Sequence, residues 1–191
     1  MIKKITALFL ACMTFVFSLS ACGNEDAAVP DGMKRVENEK NTYALFVPEE
    51  WTIDMTDGEG TAKAYASDNS NISLVIMDWD GSYNSVQEYC DSYYNTLTST
   101  FKEVSEREMY SDNQYLGTIG ESGEPVLKYI YSIVSDNPAT EDVETYKFMQ
   151  IFAYHGGNMY IFTYTALCTE NNDLFTKHID EVYDIVDNFI A

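Results

Sequence analysis

From residue 33 onward, the pattern of hydrophobic and polar positions first predicts short strands. Residues 43–47 form an apolar run that Pro48 ends. Residues 61–67 and 72–78 follow as two more strand patterns, separated by Asp, Asn and Ser residues that favour a turn. The domain is therefore predicted to begin with β-structure.

The hydrophobic period changes after residue 85, where apolar residues begin to recur at spacings of three and four. This spacing places them on one face of a helix of about 16 residues. The face consists of Val86, Tyr89, Cys90, Tyr93, Tyr94, Leu97 and Phe101. We interpret this aromatic stripe as part of the core.

The second half of the chain predicts longer strands. Residues 103–119 contain one strand or two, and residues 125–134 form a strand rich in β-branched and aromatic side chains. Residues 143–154 and 159–167 flank a His-Gly-Gly-Asn sequence whose glycines tolerate positive φ. These last two segments are therefore predicted to pair as a hairpin.

The chain closes with an amphipathic pattern that predicts a helix over residues 172–190, capped by Asp173. Its apolar face contains Phe175, Ile179, Val182, Val186 and Phe189. The hairpin strands are apolar on both sides, so both faces of the sheet must be covered. The predicted fold class is α+β, an antiparallel β-sheet flanked by helices.

The amino terminus has the pattern of a secretory signal, with Lys3 and Lys4 before an apolar stretch over residues 5–19. This stretch is too short to span a bilayer core of roughly 30 Å. The sequence Leu-Ser-Ala-Cys that follows resembles the lipobox of bacterial lipoproteins, in which cleavage falls between Ala21 and Cys22 and the Cys22 thiol receives a diacylglyceryl group. An ordinary signal peptide with a chance cysteine is the alternative.

This resemblance implies a lipoprotein with three parts: a signal peptide over residues 1–21, a lipid-anchored linker over 22–32 and a folded domain over 33–191. The linker is small and polar without hydrophobic periodicity, although an ordered first element is the alternative. Acyl chains such as palmitate would hold the protein on the extracytoplasmic side of the cell membrane. We therefore expect the membrane to be one partner, reached through the diacylglyceryl anchor.

Charge excludes several partners. The chain has 11 Lys and Arg residues against 31 Asp and Glu, a formal net charge of -20. Phosphate binding needs an excess of basic residues, so we expect no nucleic-acid partner. The same acidic balance opposes docking on anionic lipid headgroups.

Several features together resemble the PsbP-like fold, named for an extrinsic subunit of the photosynthetic oxygen-evolving complex. They are the strand that leads into Pro48-Glu49-Glu50-Trp51, the tyrosine-rich helix, the long-stranded meander and the closing helix that ends at residues 186–190. The resemblance covers most of residues 33–191 and implies an α/β/α sandwich. It also implies an accessory or binding protein without shared catalytic residues. We expect no cofactor.

Candidate chemistry is sparse. Residues 78–82 begin like a calcium loop, but Tyr83 and Tyr89 occupy the positions where an EF-hand loop needs Gly and Glu. His155 and His178 have no spacing typical of a metal site, so each is interpreted as an ordinary surface or boundary residue and no metal is expected. No phosphate-binding loop or nucleophile motif is present.

Two cysteines remain in the predicted domain, Cys90 on the helix stripe and Cys168 at the end of the hairpin. An even pair outside the cytoplasm fits a disulfide. Two buried thiols are nevertheless the favoured interpretation, because free cysteine is among the most buried residue types and Cys90 lies on the apolar stripe.

The favoured hypothesis is a non-catalytic accessory lipoprotein that binds a protein partner in the cell envelope. A lipoprotein that binds a small molecule or a cation in a pocket between sheet and helix is the alternative. An enzyme would require a perturbed carboxylate or thiolate in a cleft, for which the sequence offers no motif.

Overall fold

The computed structural model describes residues 27–37, 43–56, 61–101, 103–110, 126–136, 143–169 and 172–191. The strands are β1 (Met33–Val36), β2 (Leu45–Pro48), β3 (Thr52–Asp54), β4 (Thr61–Tyr65), β5 (Asn71–Asp78), β6 (Glu103–Val104), β7 (Glu108–Tyr110), β8 (Leu127–Asp136), β9 (Val143–His155), β10 (Asn158–Thr169) and β11 (Asn172–Asp173). The helices are α1 (Val86–Thr100), α2 (Leu174–Lys177) and α3 (Ile179–Asp187).

Nine of the described strands form one antiparallel sheet, and seven of them follow the order β3-β4-β5-β10-β9-β8-β6. β7 also pairs with β8, and β11 pairs with the end of β10. The predicted hairpin is confirmed: β9 and β10 meet at Gly156 and Gly157, whose φ angles of 58° and 90° suit glycine. The predicted α+β class, an antiparallel sheet flanked by helices, is therefore confirmed.

One face of the sheet is covered by α2, α3 and a separate ribbon in which β1 pairs with β2. Phe189 is buried at the centre of this layer, with its ring centroid 5.1 Å from that of Phe162 and 5.6 Å from that of Tyr160. Backbone hydrogen bonds between Ala44 and Ile190 join the ribbon to the end of the chain. The larger part of the core lies on this face.

The helix α1 covers the other face. Ser85 caps its first turn by accepting a hydrogen bond from the backbone N–H of Glu88. Val86 and Cys90 are buried against the sheet, while the rings of Tyr93 and Phe152 pack with their centroids 6.1 Å apart. The predicted stripe therefore faces the core from Val86 to Leu97, although its tyrosines are only partly buried. Its last member, Phe101, is the exception, because it lies beyond the end of α1 and is exposed.

The structure differs from the sequence prediction at the closing helix. Residues 174–187 form two helices, because His178 has φ and ψ of -110° and 8° and interrupts the helix between α2 and α3. Asp173 caps α2 as predicted, by accepting from the N–H of Thr176. No helix among the described residues has the length and apolar character to cross a membrane.

Candidate protein-binding surface

Part of the sheet face that carries α1 remains exposed. Val75 and Met77 of β5 pair across the ladder with Ile161 and Met159, which pack in the core under α1. Side chains directly opposite each other point to the same face of a sheet. Val75 and Met77 are nevertheless 36% and 38% exposed. Helices cover both faces of the sheet as expected, but α1 leaves this part of β5 accessible, and we call Val75 and Met77 the exposed strip.

Four aromatic residues, which we call the aromatic cluster, border this strip: Trp79, Tyr83, Tyr89 and Tyr154. The ring of Trp79 lies 6.2 Å from that of Tyr89 and 5.9 Å from that of Tyr154, edge to face in both cases. The hydroxyl of Tyr89 lies 3.7 Å from the sulfur of Met77. The cluster thus joins the start of α1 to the exposed strip, and its members are half-buried.

The sheet beneath α1 contains a polar network centred on Gln150. Its buried amide oxygen accepts a hydrogen bond of 2.8 Å from the hydroxyl of Tyr131. Its amide nitrogen donates to Tyr93 at 3.3 Å and to Thr163 at 3.1 Å. Burial raises the pKa of Tyr131, so the hydroxyl stays protonated. The network uses the amide fully and holds the sheet surface rigid.

A second contact group fastens α1 to the chain that follows it. The guanidinium of Arg107 pairs with Asp91 and lies over the rings of Tyr94 and Tyr129, at 4.7 and 4.9 Å from their centroids. Gln87 donates to Asp91 and to the hydroxyl of Tyr129, each at 3.0 Å. The hydrogen bond from Arg107 holds the pKa of Asp91 below its usual range. The negative charge of Asp91 is therefore compensated by Arg107 within the protein.

Two carboxylates near the aromatic cluster are held in place by local hydrogen bonds. Asp80 accepts from the N–H of Ser82 at 2.8 Å, and Glu88 accepts from the backbone and side-chain nitrogens of Asn84 at 2.9 and 2.8 Å. These hydrogen bonds lower the pKa of both carboxyl groups, which are therefore ionised. Both residues are exposed.

A buried polar network on the opposite face surrounds His178. Its Nε2 lies 2.8 Å from Asp68 and its Nδ1 lies 2.7 Å from Glu181. Lys177 also donates to Asp68, and the indole N–H of Trp51 donates to Glu181. The interpretation of His178 as an ordinary surface or boundary residue is therefore corrected, since it is only 8% exposed and tightly bound.

This network is structural. Both ring nitrogens of His178 are already bonded to carboxylates, so neither is left to act on a substrate. Burial by itself raises the pKa of Asp68, but hydrogen bonds from Lys177, His178 and Ser70 outweigh it and leave that pKa well below its usual range. The network fastens the turn between β4 and β5 to the start of α3.

The site residues predicted from the sequence are not those of the exposed strip. Ala21 and Cys22 lie outside the described residues, so cleavage and lipidation stay predictions. Cys90 is a buried free thiol on the face of α1 that packs against the sheet, and Cys168 is a half-buried free thiol at the end of β10. Burial raises the pKa of Cys90 to about 12. In the described part of the chain, no group of three or more His, Cys, Asp or Glu side chains is arranged so that it could hold a metal ion.

Sequence reasoning missed Val75 and Met77 as candidate binding residues. Alternation showed which residues of β5 share a face, but exposure depends on how far α1 extends across the sheet. The one available signal was the shortage of helices, because α1 is the sole helix before β6 among the described residues, whereas the sheet contains nine strands.

No family model matches the chain, and no curated protein matches it. Solved structures do share its fold. A mutant of the protein Mog1 is 13% identical with a TM-score of 0.55, over 82% of this chain and 94% of that one. The Ran-binding protein Mog1 of Saccharomyces cerevisiae is 12% identical with a TM-score of 0.53, over 85% and 95%.

The cyanobacterial PsbP of Synechocystis has the same arrangement. It is 16% identical with a TM-score of 0.53, over 91% of this chain and 99% of that one. The similarity covers nearly the whole of these neighbours, so the chain has the α+β fold of PsbP and Mog1. The expected resemblance to the PsbP-like fold is confirmed, and at these identities it concerns the fold alone.

Proposed function

We propose that this protein is a lipid-anchored lipoprotein of the extracytoplasmic face of the cell membrane, whose domain binds a protein partner without catalysing a reaction. The main observation that supports protein binding is the exposed strip. Val75 and Met77 are two of the large apolar side chains exposed among the described residues, and they lie in one strand on the same face. Apolar groups next to a rigid aromatic cluster are typical anchor points for a partner protein.

The surroundings of the strip support binding rather than catalysis. The amide of Gln150 under α1 is fully engaged in hydrogen bonds, and Asp91, on the side of α1 that faces β8, is paired with Arg107. A general acid or base needs a shifted pKa close to neutrality, whereas the carboxyl groups here have lowered values. One structural neighbour is described as a Ran-binding protein, which agrees with protein binding as a use of this fold.

The anchor is tested by the intact mass of the protein extracted from membranes. The expected mass begins at a diacylated Cys22, and Cys22→Ser abolishes both the added lipid and the membrane association. A soluble product cleaved elsewhere would contradict the lipoprotein proposal and leave a secreted binding protein.

The binding surface is tested by mild cross-linking in cells with Met77→Glu and a matched control. Val143 is 66% exposed at the start of β9, outside the α1 face described above, so Val143→Glu introduces the same charge elsewhere. Met77→Glu should remove a recurrent cross-linked neighbour that Val143→Glu retains. Equal recovery with both variants would contradict the surface, provided that thermal unfolding shows both to be folded.

A further inference from the structure

The exposed strip is too small to hold a partner by apolar contact alone. Val75 and Met77 are each little more than one-third exposed, so they offer room for one or two partner side chains. Stable interfaces bury roughly 1,600 Å² and surround such an apolar centre with a polar rim. The groups that border the strip therefore determine which partners fit.

Acidic side chains lie beside the aromatic cluster. Asp80 directly follows Trp79 and Glu88 directly precedes Tyr89 in the first turn of α1, and both carboxylates are exposed. Trp79 packs on Tyr89, whose hydroxyl reaches the strip. Asp78 alternates with Met77 in β5 and therefore belongs to the opposite face of the sheet. Asp80 and Glu88 are thus the acidic groups next to the cluster that borders the strip, and we call them the rim.

The negative charges of Asp80 and Glu88 are preorganised. The carboxylates of Asp80 and Glu88 already accept hydrogen bonds from Ser82 and Asn84, which fix their positions before any partner arrives. Neither forms a salt bridge with a Lys or Arg within the described ranges. A partner thus gains charge pairing without having to order these side chains.

Three of the basic residues in the described part of the chain are engaged elsewhere. Lys177 pairs with Asp68, Arg107 pairs with Asp91, and Lys34 donates to the carbonyl of Glu49. The chain has 11 basic residues against 31 acidic ones, so we expect the positive charge that complements the rim to come from another molecule.

We infer that the strip and its rim bind a basic protein segment, in which one or two apolar side chains are flanked by Lys or Arg. This inference rests on the proposed function and specifies the partner. A second copy of the chain would bring the same negative charge to the interface, and an anionic bilayer would be repelled by it. The Lys or Arg side chains of this segment pair with the carboxylates of the rim, and its apolar side chains pack on the strip.

The test removes the charges and retains the hydrogen bonds. Asp80→Asn with Glu88→Gln keeps an acceptor oxygen at each position, so the turn and the start of α1 are preserved. Asp180→Asn with Asp184→Asn is the control, because both aspartates are exposed on α3, which packs on the opposite face of the sheet. Each double variant changes the net charge equally.

The probe is a short fluorescent peptide with central leucines flanked by lysines, and its counterpart has glutamates in place of the lysines. We expect the Asp80/Glu88 double variant to weaken binding of the lysine peptide about fivefold at low salt, since each exposed charge pair contributes modestly. The Asp180/Asp184 control should bind within about twofold of the parent. The glutamate peptide should not bind.

The outcomes separate the two proposals. Equal weakening by both double variants, or unchanged binding with the Asp80/Glu88 variant, overturns the inference of a basic partner at this rim. If the cellular neighbour depends on Met77 but is retained by the Asp80/Glu88 variant, protein binding stands and the basic class is wrong. If Met77→Glu affects no neighbour, the proposed function fails and the inference fails with it.

Discussion

The network around His178 predicts a ranking of mutational effects that follows from burial. Asp68 accepts hydrogen bonds from Lys177 at 2.6 Å and from His178 at 2.8 Å. The side chain of His178 is 10% exposed and that of Lys177 is 53% exposed. The two partners of one carboxylate should therefore contribute very differently to stability.

Asp68→Asn should lower the free energy of unfolding by about 2 kcal/mol, because hydrogen bonds to charged groups contribute about 1.5–3 kcal/mol. It replaces a carboxylate facing the buried ring of His178 with a neutral amide. Lys177→Met removes a solvent-exposed pair and should cost at most about 0.5 kcal/mol. Urea denaturation followed by far-UV circular dichroism at neutral pH measures both.

The pH dependence gives a second check. The pKa of Asp68 is lower in the folded protein than in the unfolded chain, so its stabilisation is complete above the unfolded value of about 4. It is lost as the pH falls through the folded value. The difference between parent and Asp68→Asn should therefore shrink as the pH falls below about 4. A Lys177→Met cost as large as that of Asp68→Asn, or a difference that grows in acid, would contradict the role of Asp68 described above.

Two further predictions concern the core and the thiols. Phe189→Ala should cost about 3–5 kcal/mol in urea denaturation, while Phe101→Ala, at a site 38% exposed, should cost less than about 1 kcal/mol; similar costs would contradict the described packing. Iodoacetamide at neutral pH should spare Cys90, whose burial raises its pKa to about 12, and should label the half-buried Cys168 first. Peptide mapping that finds faster labelling of Cys90 in the native protein would contradict this order.

Local sequence signals predicted the elements that local physics determines. The spacing of apolar residues located α1, and the paired glycines located the β9–β10 hairpin, because both depend on neighbouring residues. The cap at Asp173 was found for the same reason. The strand β1 was not predicted, since it gains its pairing from β2 across a stretch of intervening chain.

Long-range contacts explain the remaining differences. The interruption at His178 serves hydrogen bonds to Asp68, which is 110 residues away in the sequence, so helical periodicity could not reveal it. The exposed strip depends likewise on where α1 packs across the sheet. Alternation in β5 distinguishes its two faces but does not say which parts of a face a helix covers.

Site-specific photo-cross-linking in cells tests the proposed protein-binding surface most directly. A photoreactive residue replaces Met77 in one variant and Val143 in another, both exposed positions of the full-length protein. The account predicts a recurrent protein adduct from position 77 that is absent from position 143. Identical adducts from the two positions, or none from position 77 in a folded and membrane-anchored protein, would contradict it.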